Sequence, residues 1–417
     1  MSKLFLANGN FRNFLLFQTF RGIGSGIFSI FMMWMIHFEY QNPFYTGAVG
    51  FMFAFPFIAS FIVGPFVDKR NKVTLIRIAC FVQFIIAGLL LVIPYIFTPG
   101  IWFFLFAVFI FYTALVIDQP AETALLPMIV DGEDLIKANA LINIVATAFG
   151  LGIGVFLYFS MDGNNGFQLV YAINAAVLLI ALVFSALLRS PESKQSDVKA
   201  DTAVFKTYFT ELKAGLLFVR HGVVMFLIVF LVFMDIFASV AYVNLPMFAQ
   251  VHTGQASGYI ILTALAMVGG ILGSYISRIV GAKLEVWKIF VACFILAGIA
   301  RIVFVNVIAQ DFSRALWIYI LYIGLGSTIG MFFRTLMQKL PPKHMIARVN
   351  TITTSLFSVT SALGALLGGL LGTLIANVDT VFIIQGISYI VIGVCICLTG
   401  PIRKLPKIDD VTEVEIS

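Results

Sequence analysis

Charge is scarce in this chain. Only 11% of its 417 residues are Asp, Glu, Lys or Arg, 61% are hydrophobic, and mean hydropathy is +1.03. A soluble domain averages about 25% charged and 45–50% apolar residues, so the composition excludes a soluble globular protein and points to a polytopic membrane protein. Histidine and cysteine are equally sparse, at four each. His37, His221, His252 and His344 are scattered over helix ends and loops and make no HExxH pattern, and Cys80, Cys293, Cys395 and Cys397 show no paired metal-ligand spacing. The cysteines read as small apolar fillers. With no Walker-type phosphate loop either, ATP-driven pumping is not expected, and no metal or cofactor is expected. A membrane-embedded transferase would need a His/Asp or metal constellation that the sequence lacks, so the chain is not expected to be an enzyme. No cleavable signal peptide is expected, because the polar start (Asn8, Asn10, Arg12, Asn13) runs into an apolar segment too long for an h-region.

What the chain has is long apolar runs. A helix needs about 20 mostly apolar residues to cross the hydrocarbon core. Charge, Pro and Asn/Gly signals divide the sequence into twelve such segments, at 13–37, 46–67, 73–96, 101–126, 139–160, 168–188, 222–246, 258–280, 286–308, 315–337, 350–375 and 379–399. With a cytoplasmic amino terminus, 22 of the 26 basic residues fall in inside loops and only Arg314 falls outside. The positive-inside rule therefore predicts that both termini are cytoplasmic. The net charge of +6 sits in short loops beside anionic lipid headgroups, so it implies no nucleic-acid partner.

Two stretches half a chain apart read alike. Asp134-Leu135-Ile136-Lys137-Ala138-Asn139 returns 211 positions later as Met345-Ile346-Ala347-Arg348-Val349-Asn350, each introducing an apolar helix. The same offset lays Gly47 and Lys72 onto Gly258 and Lys283. A duplicated helical unit is expected, in the manner of secondary transporters with a site between repeats. The predicted domains are residues 1–188 as an amino-terminal six-helix bundle, 189–221 as a cytoplasmic linker, 222–399 as a second six-helix bundle and 400–417 as a tail. The linker begins too polar to bury a core, and Val204, Tyr208, Leu212, Leu216 and Val219 then recur at helical spacing, as in an amphipathic surface helix. Gly269, Gly270 and Gly273, and Gly364, Gly368, Gly369 and Gly372, form small-residue faces expected to allow sliding between the bundles.

At this point the chain resembles the major facilitator superfamily. The loop after the second segment, Gly64-Pro65-Phe66-Val67-Asp68-Lys69-Arg70-Asn71-Lys72, is similar to that family's signature of Gly, three residues, Asp and then basic residues. The resemblance covers essentially the whole chain and implies an all-α membrane protein of twelve transmembrane helices in two pseudo-symmetric bundles. It also implies that Gly64, Asp68, Lys69, Arg70 and Lys72 form a gating latch. Pro120-Ala121-Glu122-Thr123-Ala124-Leu125-Leu126-Pro127 and Glu211-Leu212-Lys213-Ala214-Gly215 look most like the drug-exporting branch that includes bacterial macrolide efflux proteins. Helix 5 lacks the Pro of the Gly-Pro signature common among antiporters of the family. The second half carries Ile279 where the first has Asp68, so the latch is expected to be asymmetric.

Charges inside apolar segments carry the most information, since each is costly and normally faces a cavity or a partner. They are Arg21, Asp118, Glu122, Asp235, Arg301 and Arg334. Family resemblance places helices 1, 4, 7 and 10 around the central cavity, and five of the six charges lie on them. Asp118 and Glu122 are four apart and share a helix face. Two such carboxylates cannot both ionise cheaply, which suits proton coupling; Glu122 alternatively belongs to the gate. Arg21 either neutralises one of them or binds an anionic substrate. Asp235 is a second coupling candidate with Arg334 as counter-charge, and Gln18, Gln119 and Asn244 are candidate substrate contacts. Arg301, on an outer support helix of the implied fold, reads as structural. The expected function is proton-coupled alternating-access export of a small amphipathic, macrolide-like molecule from a multi-pass protein, monomeric among membrane lipids, in a bacterial plasma membrane. Alternatives are export of an anionic metabolite such as a carboxylate siderophore, clamped by Arg21 and Arg334, and lysolipid transport or flipping.

Overall fold

The computed structural model describes residues 8–60, 63, 66–67, 70–130, 134–160, 166–190, 219, 222–281, 283–342 and 345–411. Twelve long helices run through them: α1 Gly9–Tyr40, α2 Pro43–Ile58, α3 Lys72–Val92, α4 Ile101–Ile129, α5 Leu135–Ser160, α6 Gly166–Leu187, α7 Gly222–Thr253, α8 Ala256–Gly281, α9 Val286–Ile308, α10 Phe312–Lys339, α11 Ile346–Leu374 and α12 Val378–Leu398. A four-residue α13, Gly400–Arg403, follows. Among the described residues, ten of the helices are long and apolar enough to span a membrane, and α2 is shorter. Most of the predicted linker, including all of its amphipathic stretch before Val219, lies outside the described residues, as do Gly64, Asp68 and Lys69 of the predicted latch.

The helices keep the register of the sequence repeat. Shifting the start of α4 by 211 positions gives the start of α10, and the same shift of α5 gives the start of α11. The chain divides into two compact units, residues 1–199 with 255–264 and residues 200–254 with 265–417. In the first, α1 packs on α5 and α6, and α3 packs on α4 and α6. In the second, α7 packs on α11 and α12, and α9 packs on α10 and α12, which is the same pattern.

Local chemistry sets the ends. Asn8 caps α1 by accepting the Phe11 amide at 2.9 Å, so the helix begins at Gly9, earlier than the apolar run alone predicts. The polar start also ties helix ends together in the first unit. Asn8 donates to the Ile129 carbonyl, Asn10 to that of Arg189 and Asn13 to that of Leu187. Arg77 donates to the carbonyls of Ser185, Ala186 and Leu188, satisfying groups that a helix carboxyl end leaves free. Helix α7 runs through Pro246 to Thr253, where the sequence pattern ends it at Pro246. A proline is tolerated in a membrane helix because neighbours re-satisfy the freed backbone, and the stop comes at Gly254, whose φ of +70° suits glycine.

The glycine faces pack helices within the second unit, correcting the expectation that they slide between bundles. A Cβ on Gly368 would sit 2.7 Å from the Val240 backbone, and one on Gly364 2.7 Å from the Ile236 carbonyl, so α11 lies directly on α7. Gly273 likewise abuts the Gly324 carbonyl, bringing α8 onto α10. Without Cβ atoms, backbones approach closely enough for dispersion contact, the main attraction between helices in lipid.

Candidate functional site

Helices α1 and α4 bring four polar side chains together inside the first unit. Gln18 and Arg21 sit one turn apart on α1, and Asp118 and Glu122 one turn apart on α4, so each pair shares a face. Arg21 Nη2 donates to Glu122 Oε2 at 2.9 Å while its Nε lies 2.6 Å from Oε1, one hydrogen bond and one ion-pair contact on a single carboxylate. The same Nε is 3.0 Å from Asp118 Oδ2, and Gln18 Nε2 donates to Glu122 Oε2 at 3.0 Å. Asp118 is 0% exposed and Glu122 4%.

The two carboxylates are held unequally. Glu122 has both oxygens against the guanidinium and a second donor in Gln18. Asp118 has only the Arg21 Nε within ion-pair distance, and neither of its oxygens accepts a hydrogen bond, whereas Glu122 Oε2 accepts two. Pro120 stands between them in α4 and removes an amide from the helix ladder at this level. With both carboxylates ionised the cluster carries two negative charges against one positive; one proton makes it neutral. In α3, Gln83 is 0% exposed and neither amide atom has a partner.

The second unit holds a different buried cation. Arg301 on α9 is 3% exposed, and no carboxylate among the described residues lies within ion-pair distance of it. Its Nε donates to Gln385 Oε1 on α12 at 2.9 Å, and Gln385 Nε2 donates to the Tyr322 hydroxyl on α10 at 2.9 Å. The guanidinium lies 4.4 Å from the Phe382 ring centroid and 4.6 Å from that of Tyr322. Its Nη1 has no partner. Each ring contact contributes about 0.5–2 kcal/mol, whereas removing an ion from water costs several kcal/mol. With Phe304 and Tyr319 at 5.5 and 5.8 Å, four rings surround the cation; they offset much of the cost of burial but supply no counter-charge.

The remaining predicted residues are dispersed. Asp235 is half-buried and accepts from Thr360 Oγ1 and Ser361 Oγ at 2.7 Å each, through Oδ2. Arg334, expected as its counter-charge, is exposed, and no ion pair joins the two. Asn244 is fully buried and donates to the carbonyls of Val240 and Gly368, so its amide ties α7 to α11. Gln119 is exposed, on a different side of α4 from Asp118. Of the latch residues within the described set, Lys72 Nζ donates to the Arg70 carbonyl and the Arg70 guanidinium lies over the Phe66 ring. Gln83, Tyr322, Gln385, Thr360 and Ser361 were not singled out from sequence. The available signal was a lone Gln within an apolar run, as in Cys80-Phe81-Val82-Gln83-Phe84 and Ile383-Ile384-Gln385-Gly386.

A family model described as Major Facilitator Superfamily matches residues 14–365. Solved structures share the fold at low identity. A mutant of the nucleoside transporter NupG superposes with a TM-score of 0.75 at 12% identity, covering 94% of this chain and 99% of that one. A structure described by substrate recognition in proton dependent oligopeptide transporters gives 0.68 at 15%, covering 94% and 98%. A bacterial homolog of the human lysosomal transporter Spinster, inward-facing and unoccupied, gives 0.66 at 16%, covering 93% and 94%. No curated protein sequence matches the chain.

Proposed function

Because the chain belongs to the major facilitator superfamily, we propose that this membrane transporter is a proton-coupled exporter of a small amphipathic organic molecule, with Asp118 as the proton carrier. The observation that supports this reading is the buried set of two carboxylates on one guanidinium. Glu122 is neutralised by its two-point contact with Arg21 and by Gln18. Asp118 is left with one ion-pair contact to Arg21 and no hydrogen bond on either oxygen, so a proton arriving there removes the surplus negative charge from a membrane interior where charge is costly. Proton arrival and departure change the cluster between neutral and net negative, and a two-state transporter couples to whichever state binds substrate better.

Arg21 is engaged by two carboxylates, which argues against its use as an anion clamp. Its charge is met within the first unit, so Arg21 is not the group that would hold an anion. Export, rather than uptake, rests on the likeness to the drug-exporting branch. The distribution of Lys and Arg supports cytoplasmic termini in a plasma membrane. We take the working unit to be the monomer, with lipid, substrate and protons as its partners.

The test is proton flux in reconstituted vesicles that carry a pH-sensitive dye, with an imposed gradient and added macrolides or other amphiphiles. Wild type should show substrate-triggered proton movement, and Asp118→Asn should lose it while still moving substrate down its gradient. Substrate movement that ignores both the gradient and Asp118→Asn would refute the coupling.

A further inference from the structure

Inside the second unit a cavity of about 330 Å³ opens among α7, α9, α10 and α12, lined by Tyr242, Arg301, Tyr319, Tyr322 and Gln385. We propose that this cavity is the subsite for an anionic group of the transported molecule: a carboxylate on a flat, apolar body, gripped by Arg301 and flanked by the tyrosines. The proposal rests on the transporter reading above and adds the charge and shape of its substrate.

The argument starts from the cation. Arg301 is nine-tenths buried or more, no carboxylate among the described residues pairs with it, and Nη1 lacks a partner. Gln385 orients the guanidinium from one edge by accepting from Nε, and Gln385 is itself fixed by donating to Tyr322. Arg301 lines the cavity with a buried nitrogen still to be satisfied, and a planar guanidinium fork is the geometry that a carboxylate matches with two oxygens. Aromatic faces at 4.4 and 4.6 Å hold the cation in place without neutralising it. The cavity has the size and lining of small-ligand sites, mostly apolar with few convergent polar groups, and its tyrosine rings suit a flat body. The cation bound to Asp118 and Glu122 in the first unit is already neutralised, so the anionic group is assigned to the second unit.

The experiment compares two ligands of one shape. Full-length protein in phosphatidylcholine nanodiscs is titrated calorimetrically with 2-naphthoate and with uncharged 2-naphthalenemethanol. Wild type should prefer the carboxylate by about tenfold or more, the scale of one charge-assisted pair. Arg301→Gln should bring the two ligands within about twofold of each other, and Arg301→Lys should keep an intermediate preference, since a point charge lacks the fork. Ala238→Phe, which fills the cavity from α7 and leaves Arg301 in place, should weaken both ligands; it keeps the test decisive if the Arg301 variants fold poorly. Equal binding by wild type, a preference that survives Arg301→Gln, or unchanged binding in Ala238→Phe would overturn the proposal. Asp118→Asn should retain the carboxylate preference. Coupled flux without the preference would therefore sink this subsite alone, and the preference without coupled flux would sink the coupling alone.

Discussion

The two halves of the molecule share a scaffold and differ in where they bury charge. At the offset that aligns the starts of α4 with α10 and α5 with α11, Arg21, Asp118 and Glu122 fall on Val232, Ile329 and Phe333. Running the shift backward, Arg301, Gln385 and Tyr322 fall on Leu90, Asn174 and Phe111. Each half thus carries a buried cation at a position where the other is apolar. The first cation is matched by two carboxylates and the second by none among the described residues. A duplicated helical frame has diverged into one unit whose charge can change with a proton and one whose charge is fixed and unmet. The two proposed roles, proton carrier and anion subsite, both call for polar groups in a membrane, and each half supplies one of them.

The strongest break in this comparison is Arg21→Gln. It leaves two carboxylates buried with no cation, and stripping one partner from a buried ion pair costs about 3–5 kcal/mol. The variant should show a large fall in unfolding temperature in detergent. Adding Asp118→Asn should recover much of that loss, because the stranded charges are then fewer. Thermal unfolding of the two singles and the double checks this, and independent, additive losses would mean that the cluster is not a unit.

Packing supplies the next contrast. In the first half, Gly26 on α1 receives Ile153 of α5; in the second the small residue has changed sides, with Gly364 and Gly368 of α11 against α7 and Phe237 where the offset places Gly26. Leu157 stands at the position matching Gly368 and is fully buried. Gly368→Ala should therefore cost about 1–3 kcal/mol by forcing α7 and α11 apart, and it also disturbs the Asn244 bond to the Gly368 carbonyl. Leu157→Ala, by contrast, should cost through a cavity. Unfolding temperatures with and without a smaller residue at Val243, whose Cγ2 would lie 2.6 Å from the added Cβ, distinguish the two: Val243→Ala should relieve part of Gly368→Ala and do nothing for Leu157→Ala.

How much of this was legible beforehand depended on what kind of signal each feature leaves. The repeat and most helices were readable because apolar runs bounded by charge are long, and lipid imposes helix on them. Asp118, Glu122 and Arg21 stood out as charges in such runs, and their mutual contact follows from one-turn spacing on two helices. Asp235 was equally visible, yet its partners are Thr360 and Ser361, hydroxyls that abound in membrane helices and carry no mark in sequence. Arg301 was visible and read as structural. Its significance lies in what surrounds it across α9, α10 and α12, which a linear reading cannot assemble. The expected pairing of Asp235 with Arg334 failed for the same reason: both are charged, but side chains on α7 and α10 meet only if packing turns them together.

Replacing Arg301 by Leu, the residue at the matched position 90, tests the claim that this cation is unmet. No carboxylate is stranded, so the cost is confined to the Gln385 oxygen, which loses its donor at about 1–3 kcal/mol, offset in part by the apolar side chain. The fall in unfolding temperature should be clearly smaller than for Arg21→Gln, measured under the same detergent conditions. A loss as large as that of Arg21→Gln would reveal a counter-charge that holds Arg301 in the folded protein.

The smallest effect is expected at Asp235, and it bears on the division of labour most directly. Its Oδ2 accepts both hydroxyl bonds at 2.7 Å, and an amide oxygen can accept the same two. Asp235→Asn should change stability by less than about 1 kcal/mol, the net worth of a single hydrogen bond. If coupling resides in the first half, the number of protons moved per substrate should equal that of wild type, read from paired dye and radiolabel fluxes in vesicles. Loss of one proton per cycle would place a second titrating group in the second half, and the contrast between a proton-changing half and a fixed-charge half would no longer hold.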